Sequence, residues 1–426
     1  KPQTNFNAKW QTCSPESAAN FPAVGFYFGA ELLKSPSVAD VPIGLIDCSF
    51  GGTSAEAWMS KQALSSFAKS DLLPSLFGGP GQMFNAMVAP LAPFQAKGVL
   101  WYQGESNAGR PDIYAHVLST MIADWRTQWD EPALPFLIVQ LPPFVDSHFT
   151  WIREAQADVA QTVPNTALAV TIDTTDGYNL HPKEKREIGR RLALLARHMV
   201  YKEGVLASGP VFKQAAIEGS DVRVTFDTGG NGLAVQGAPR SRQVKGFALA
   251  GTDGEYRYAH ATIDGDDVLI HCDSVPSPKT VRYAWEGIPD ANLTNKSGLP
   301  AAPFRTDDLP RSMVEIRKQP APHRVVMPAY DIEIDGDGKV TSLAVGGRQF
   351  LSNEPGPAVG NEHPRLARLP IPGRHPPARP RPPLLRRQRR YPPAGFPRTV
   401  DGLDDRESIQ AADRIPHRAG AQGCGH

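Results

Sequence analysis

Three short stretches of this sequence gather side chains able to move a proton, steady a developing negative charge or orient a small ligand. The first, IDCSFGGTSAEAW (46–58), sets Gly51-Gly52 directly behind an apolar run. A glycine pair lets the backbone turn sharply and approach a ligand closely. Backbone N–H groups at such a turn can stabilise an oxyanion, and Thr53 and Ser54 can cap a helix that follows. The second, WYQGESN (101–107), offers the neutral amide of Gln103, the carboxylate of Glu105 and a second amide at Asn107. The third, IDTTDGYNLHPKEK (172–185), delivers Asp173 and Asp176 and then His181 ahead of Pro182. A histidine beside carboxylates suits a general base, and Pro182 suits the first turn of a helix. Each stretch has a plainer alternative: a tight strand–helix turn, a polar capping loop, and an N-cap cluster with a solvated histidine.

For these groups to act together, the elements carrying them must end at one place. Residues 42–47 (PIGLID), 98–102 (GVLWY), 136–141 (FLIVQL) and 166–172 (TALAVTI) read as buried strands. Between and around them lie helical patterns at 23–33, 112–129, 151–160 and 183–201. The clearest is 112–129, where Ile113, Tyr114, Val117, Met121, Ile122 and Trp125 share one face. In the last, Ile188, Leu192, Leu195 and Met199 point inward. Apolar strands alternating with helices predict an α/β fold, a parallel sheet with helices on both faces. All C-terminal strand ends then share an edge, where ligands bind in open α/β sheets. The Gly51-Gly52 turn, Gln103 and His181 are expected to meet there.

Past Tyr201 the texture changes to short strands (VRVTF, KGFALAG, VLIHC, TVRYAW) with Gly/Asp turns, an all-β module. The expected organisation is an α/β domain at 1–205, a β-rich module at 206–310, the start of a further β unit at 311–358 and a tail at 359–426. Within the third piece, DIEIDGDGKVTSL (331–343) predicts a hairpin turning at 336–338. Residues 361–426 hold 13 Arg, no Lys and 12 Pro. Such a segment buries too little apolar surface to fold. It reads as translation in a shifted frame of GC-rich DNA or as a disordered basic tail, and no function is assigned to it.

Composition removes several classes. The 45 Lys+Arg balance 44 Asp+Glu, so the chain lacks the basic footprint of a nucleic-acid binder. No apolar run reaches the length of a membrane span. The four cysteines are dispersed without a C-x-x-C pair, which argues against a zinc ribbon or a thioredoxin motif. No phosphate-binding G-x-x-x-x-G-K-[ST] pattern occurs. No metal or organic cofactor is expected.

The three stretches together, with FNAMVAPL, DWRTQW, LPFLIVQLPPF, IREAQ and HPKEKREIGRRLAL, and in the β module GFALAG, VRYAWEGIPDANLTN and GLPAAPFRTDD, resemble the sialate O-acetylesterases. These are SGNH (GDSL-like) hydrolases that take acetyl groups from sugars, and the resemblance runs over roughly residues 1–308. It implies an SGNH-type parallel sheet followed by an all-β module, and serine-type acyl transfer from sialic acid or a related acetylated glycan without a cofactor. It implies His181 as general base, Gln103 as side-chain oxyanion donor and Gly51 and Gly52 as backbone donors. Trp101, Glu105 and Asn107 are expected at the substrate. SGNH enzymes often carry the orienting acid as an Asp three residues before the histidine, but Tyr178 stands there; of the available carboxylates, Asp176 and Asp173, Asp176 is preferred.

One departure matters. The family's nucleophile sits in a G-Q-S-N-M block upstream of the glycine turn, and none occurs here. Ser49, Ser54 and Ser106 read as structural. The chain starts at Lys1 with no signal-peptide pattern. The expectation is a fragment lacking the first strand, the nucleophile and an N-terminal β domain, and therefore inactive, since no acyl-enzyme forms without an activated nucleophile. A second reading is a carbohydrate-binding protein on a degenerate hydrolase fold, holding sugars through Trp58, Trp101, Tyr102 and Tyr178. The implied partner is an acetylated carbohydrate, with no nucleic acid or membrane, and glycans of this kind place the parent protein in the periplasm or outside the cell.

Overall fold

The apolar run FLIV builds the centre of the first region. In the computed structural model, which describes residues 1–5, 8–69, 72, 78–146 and 148–309 and the backbone of four strands between 324 and 351, it forms the middle of a three-stranded sheet. β1 (Val99–Trp101), β2 (Phe136–Val139) and β3 (Thr166–Ala169) lie in that order and run parallel. Among the described residues the α-helices are α1 (Pro15–Ala18), α2 (Ala23–Leu32), α3 (Lys61–Leu64), α4 (Pro111–Gln128), α5 (His148–Thr162) and α6 (Lys185–Met199).

Every residue of β2 is buried, and its side chains alternate between the two faces as the pleat requires. Phe136 and Ile138 enter one core with α4 and α5, whereas Leu137 and Val139 enter another with α2 and α6. α4 begins at Pro111, whose fixed φ suits a first turn. Of its expected stripe, Tyr114, Val117, Met121 and Ile122 are fully buried and Trp125 is buried, while Ile113 is half-buried and Leu118, not expected there, is fully buried; each large apolar side chain is worth roughly 1.5–3 kcal/mol. In α6, Ile188, Leu192 and Leu195 are buried and Met199 packs beside them.

The expected strand at 42–47 does not form. Ile43 and Leu45 do pack against the α2–α6 core, but Ile46 and Phe50 are about half exposed, at 46% and 50%. Apolar content placed this segment beside the core correctly. A strand also needs a ladder partner, and none pairs with it among the described residues.

The second region is all antiparallel. Its strands are β4 (Val211–Glu218), β5 (Asp221–Asp227), β6 (Leu233–Val235), β7 (Gln243–Val244), β8 (Phe247–Ala250), β9 (Arg257–Tyr258), β10 (His260–Asp264), β11 (Asp267–His271), β12 (Thr280–Tyr283), β13 (Leu293–Asn295) and β14 (Phe304–Arg305). They form sheets ordered β4-β5-β11-β10-β7 and β14-β12-β8-β9, plus the pair β13-β6. Period-two burial in β5 (Val222, Val224, Phe226) and β11 (Val268, Ile270) turns one face of the larger sheet onto Phe247, Leu249, Val281 and Tyr283 of the smaller.

A polar and aromatic seam joins α5 to this β region. Arg305 Nε donates to Glu154 Oε1 at 2.7 Å and Nη1 to Asp307 Oδ1 at 2.5 Å, while Arg282 Nε reaches Asp307 Oδ2 at 2.8 Å. The Arg305 guanidinium lies 4.8 Å from the Trp151 ring centre, and Trp151 meets Trp285 edge-on at 5.5 Å. β15 (Arg324–Met327), β16 (Tyr330–Ile334), β17 (Val340–Val345) and β18 (Arg348–Leu351) form a separate sheet in that order. The arms of the expected hairpin are thus neighbours; its turn at 336–338 and the Arg/Pro-rich tail lie outside the described residues.

Candidate active site

The glycine turn after residue 50 is held from beneath. Gly52 has φ +71°, a conformation that costs a glycine nothing. Thr53 Oγ1 donates to Phe50 O at 2.8 Å and accepts from Trp58 Nε1 at 2.9 Å, so the next turn, Ala55–Trp58, sits against the loop. Gly51 and Gly52 are exposed, and among the described residues neither N–H donates a hydrogen bond. These two amides are therefore available to an oxyanion.

A buried amide network ties that turn to the end of β1. Gln103 Nε2 donates to Thr53 O at 3.2 Å and to Asn107 Oδ1 at 2.7 Å. Asn107 Oδ1 also accepts from Ala55 N at 2.9 Å, and its Nδ2 donates to Glu56 Oε2 at 2.9 Å. Gln156 Nε2, from α5, donates to Gln103 O at 2.9 Å, and Tyr114 Oη, from α4, lies 3.1 Å from both oxygens of Gln103. A fully made polar network in a low-dielectric interior fixes one arrangement. Both N–H bonds of the Gln103 amide serve this network, so a role as oxyanion donor requires one of them to turn outward.

Of the three residues expected at substrate, the structure buries two. Asn107 has no exposed surface and Trp101 is 6% exposed, packed edge-on between Trp58 and Trp125. Asn107 holds the buried amide network together, and Trp101 packs in an aromatic cluster. The physical reason lies in their neighbours: α4 and the Ala55–Trp58 turn cover the strand end that carries them. Glu105 opens a short 3-10 turn, Glu105–Asn107. Burial pushes its carboxyl above the ordinary range, partly offset by its own and Gly104's backbone N–H and by the charges of His181 and Lys185. Lys185 Nζ lies 5.4 Å from the Tyr102 ring centre.

His181 lies on an exposed loop, its N–H donating to Asn179 Oδ1 at 2.9 Å. It stands within electrostatic reach of Glu105. Gln103 is thus hydrogen-bonded to the loop of the glycine turn, and His181 acts electrostatically on Glu105, two residues beyond Gln103. Among the described residues no carboxylate hydrogen-bonds the imidazole. Asp176 is exposed and accepts from Tyr178 N at 3.2 Å. Asp173 is held by Arg191 in a two-pronged pair of 2.6 and 2.7 Å and by Gln236 Nε2 at 3.1 Å. That pairing makes Asp173 a brace for α6. Glu105 feels the charge of His181, a pairing the sequence reading did not give; the signal available was that Glu105 and His181 both follow strand ends.

Two serines of the glycine-turn stretch are held in other roles. Ser54 is fully buried, and the Ser49 hydroxyl donates to Asp47 Oδ1 at 2.6 Å. Burial, with Asp47 alongside, pushes the Cys48 thiol up to about 12, so it stays protonated and unreactive at neutral pH. Cys13, Cys48 and Cys272 are free thiols. The described residues hold no cluster of three metal-ligating side chains and no helix long and apolar enough to cross a membrane. Of the four aromatic residues expected to hold sugar, Trp58 and Trp101 are buried and Tyr178 is 74% exposed.

The chain matches a family model described as carbohydrate esterase, sialic acid-specific acetylesterase, over residues 7–198. It is 35% identical to a human sialate O-acetylesterase over 218 residues, covering 44% of this chain and 41% of that protein. A rat sialate O-acetylesterase is 32% identical over 350 residues, covering 66% and 63%. The chain therefore spans between about two fifths and two thirds of the length of these curated relatives. The crystal structure of a carbohydrate acetylesterase from Xanthomonas citri superposes with a TM-score of 0.66 at 39% identity, covering 72% of this chain and 71% of that one.

Proposed function

The chain belongs to the sialic acid-specific acetylesterase family of carbohydrate esterases, and we propose that it carries the base and oxyanion side of an enzyme removing O-acetyl groups from sialic acid or a related glycan. The observation that carries this reading is that Gln103, just past β1, hydrogen-bonds the loop whose Gly51 and Gly52 amides are free, while Glu105, two residues on, feels the charge of His181.

In this reading His181 takes the proton of a serine hydroxyl as its oxygen attacks the acetyl carbonyl carbon. The carbonyl oxygen becomes an oxyanion and receives the Gly51 and Gly52 N–H groups. Collapse breaks the bond to the sugar oxygen, which leaves with the proton from His181. Water, deprotonated by the same imidazole, then attacks the acetyl-serine, releasing acetate and restoring the hydroxyl. Glu105, on the imidazole side, steadies the cation that His181 becomes. The serine is not supplied by the 426 residues in a recognisable block, so this chain alone is expected to be inactive. Acetylated glycans of this type place the parent protein in the periplasm or outside the cell.

The test is hydrolysis of p-nitrophenyl acetate and of O-acetylated sialic acid. The 426-residue chain should match a heat-killed control. A chain completed with a G-Q-S-N-M segment should turn over, and should lose that activity when the added serine becomes alanine. Turnover by the uncompleted chain that vanishes in Ser49→Ala would overturn the assignment of the nucleophile.

A further inference from the structure

We propose that the β region is part of the catalytic apparatus: its loop between β12 and β13 clamps the loop that carries His181, making Ile288 and Gly287 positioning residues for the general base. The proposal rests on the base role given to His181 above.

The contact is a braid of three segments. After β2, the chain at 142–146 passes between the other two. Phe144 N donates to Gly287 O at 2.9 Å, and Val145 N donates to Gly177 O at 3.1 Å. Residues on one side of this strip belong to the β region and on the other to the His181 loop. The two outer segments also touch directly. Gly177 has φ +85°, and a Cβ there would stand 2.5 Å from Ile288 Cγ1 and 2.7 Å from its Cδ1. Only glycine fits both the conformation and the space.

Arg153 locks the far side of the same loop. This fully buried guanidinium donates from Nη1 to Pro142 O at 3.1 Å and from Nη2 to the Glu286 carbonyl. Trp285, next in the loop, is buried against Trp151. A second tie lies at the loop's start, where Gln236 of the β region donates to Asp173 at 3.1 Å.

The placement of exposure fits a clamp. Gly177 is buried at the contact, while Asp176, Tyr178, Asn179 and His181 around it are exposed. The loop is pinned by its backbone and leaves its chemical groups facing outward. Local turn bonds alone, such as Asn179 Oδ1 to His181 N, tie the loop only to itself. Segments so tied open with little free energy unless packed contacts restrain them.

Hydrogen exchange on the 426-residue chain decides the matter without needing activity. Ile288→Ala should speed exchange across 173–182 by about tenfold or more, as expected when a packed restraint on a surface loop is lost. The strand peptide 221–227 should keep its protection. The His181 imidazole signals should shift or broaden relative to the parent chain in the nuclear magnetic resonance spectrum. Ile288→Leu should restore both. Val268→Ala, which thins the β core away from the clamp, should leave 173–182 unchanged. The proposal is overturned if Ile288→Ala leaves 173–182 at the parent rate, or if Val268→Ala loosens it equally. In a chain completed with a nucleophile, undiminished turnover by His181→Ala with the exchange result intact would refute the base assignment and leave the clamp standing.

Discussion

The two halves of the candidate site are built on opposite plans. On the oxyanion side, Thr53, Glu56, Gln103, Asn107, Tyr114 and Gln156 interlock below the surface within the α/β region. Only the glycine amides emerge. On the base side, His181 stands on an exposed loop with local turn bonds, steadied by neighbours from another part of the chain. Charge separation in acyl transfer rationalises the difference. Oxyanion donors are most effective when fixed before reaction, with no reorganisation left to do. A base must accept a proton from one oxygen and return it to another, which favours an exposed ring on a restrained loop. Stability and activity should therefore be coupled on the first side and separable on the second.

The largest expected effect tests the separable side. In a chain completed with a nucleophile, His181→Ala should lower kcat by about 10^2–10^4-fold. Its folding free energy, read by urea denaturation, should stay within about 0.5 kcal/mol of the parent, as for other exposed positions. A comparable loss of stability would show that the histidine belongs to a buried framework after all.

Asn107→Ala addresses the coupled side. It strands the Ala55 N–H and one N–H of Gln103, each left unmet at about 1–3 kcal/mol, and removes one donor to the Glu56 carboxylate. The variant should be destabilised by about 3 kcal/mol and lose activity as well. Gln103→Ala should cost about 10^2–10^3-fold in kcat if the amide turns outward in the transition state. A loss of stability with kcat preserved would confine Gln103 to its structural role.

The two sides also differed in how far they could be read from sequence. Helical periodicity revealed α4 and α6 because their apolar stripes recur every three to four residues within one element. Apolar runs located β1, β2 and β3, but 42–47 had the composition of a strand and no partner in the sheet. Gln103 was visible because it follows the apolar run of β1, and the glycine turn because a glycine pair is a local signal even though no strand forms before it. The orienting acid was not. Asp173 and Asp176 look equivalent in the sequence, and what separates them is Arg191, eighteen positions further on, folded back to grip Asp173. The burial of Trp101 and Asn107 and the contact of Ile288 with Gly177 depend on tertiary packing that no local pattern records.

The seam behind the base side should show itself in acid. Burial alone would push the Asp307 carboxyl up, but hydrogen bonds from Arg282, Tyr256 and Arg305 outweigh it and hold it at about 2, against an ordinary 3.8. A depressed folded value means the stabilisation is fully present above pH 3.8 and is lost as pH falls toward 2. The parent chain should lose on the order of 2 kcal/mol across that window, and Asp307→Asn should lack this component. Equal acid sensitivity in the two proteins would place the acid-labile group elsewhere.

Glu105, where the two sides meet, gives the smallest and most discriminating effect. Its carboxyl is raised by burial, so the sign is opposite to that of Asp307. Its share of stability is whole below the ordinary carboxylate range and declines as pH rises through the folded value, because ionisation is then forced on a poorly solvated group. Glu105→Gln keeps the shape and removes that cost. The variant should unfold at slightly higher denaturant than the parent at neutral pH, by up to about 1 kcal/mol, with the gain disappearing in acid. In a chain completed with a nucleophile it should also lose kcat, since the amide no longer steadies the imidazolium of His181. A gain in stability together with a loss in rate would mark Glu105 as a group kept for chemistry at the expense of the fold. A loss in both would make it another strut of the oxyanion framework, and the boundary between the two halves would have to be drawn on the histidine side of Glu105.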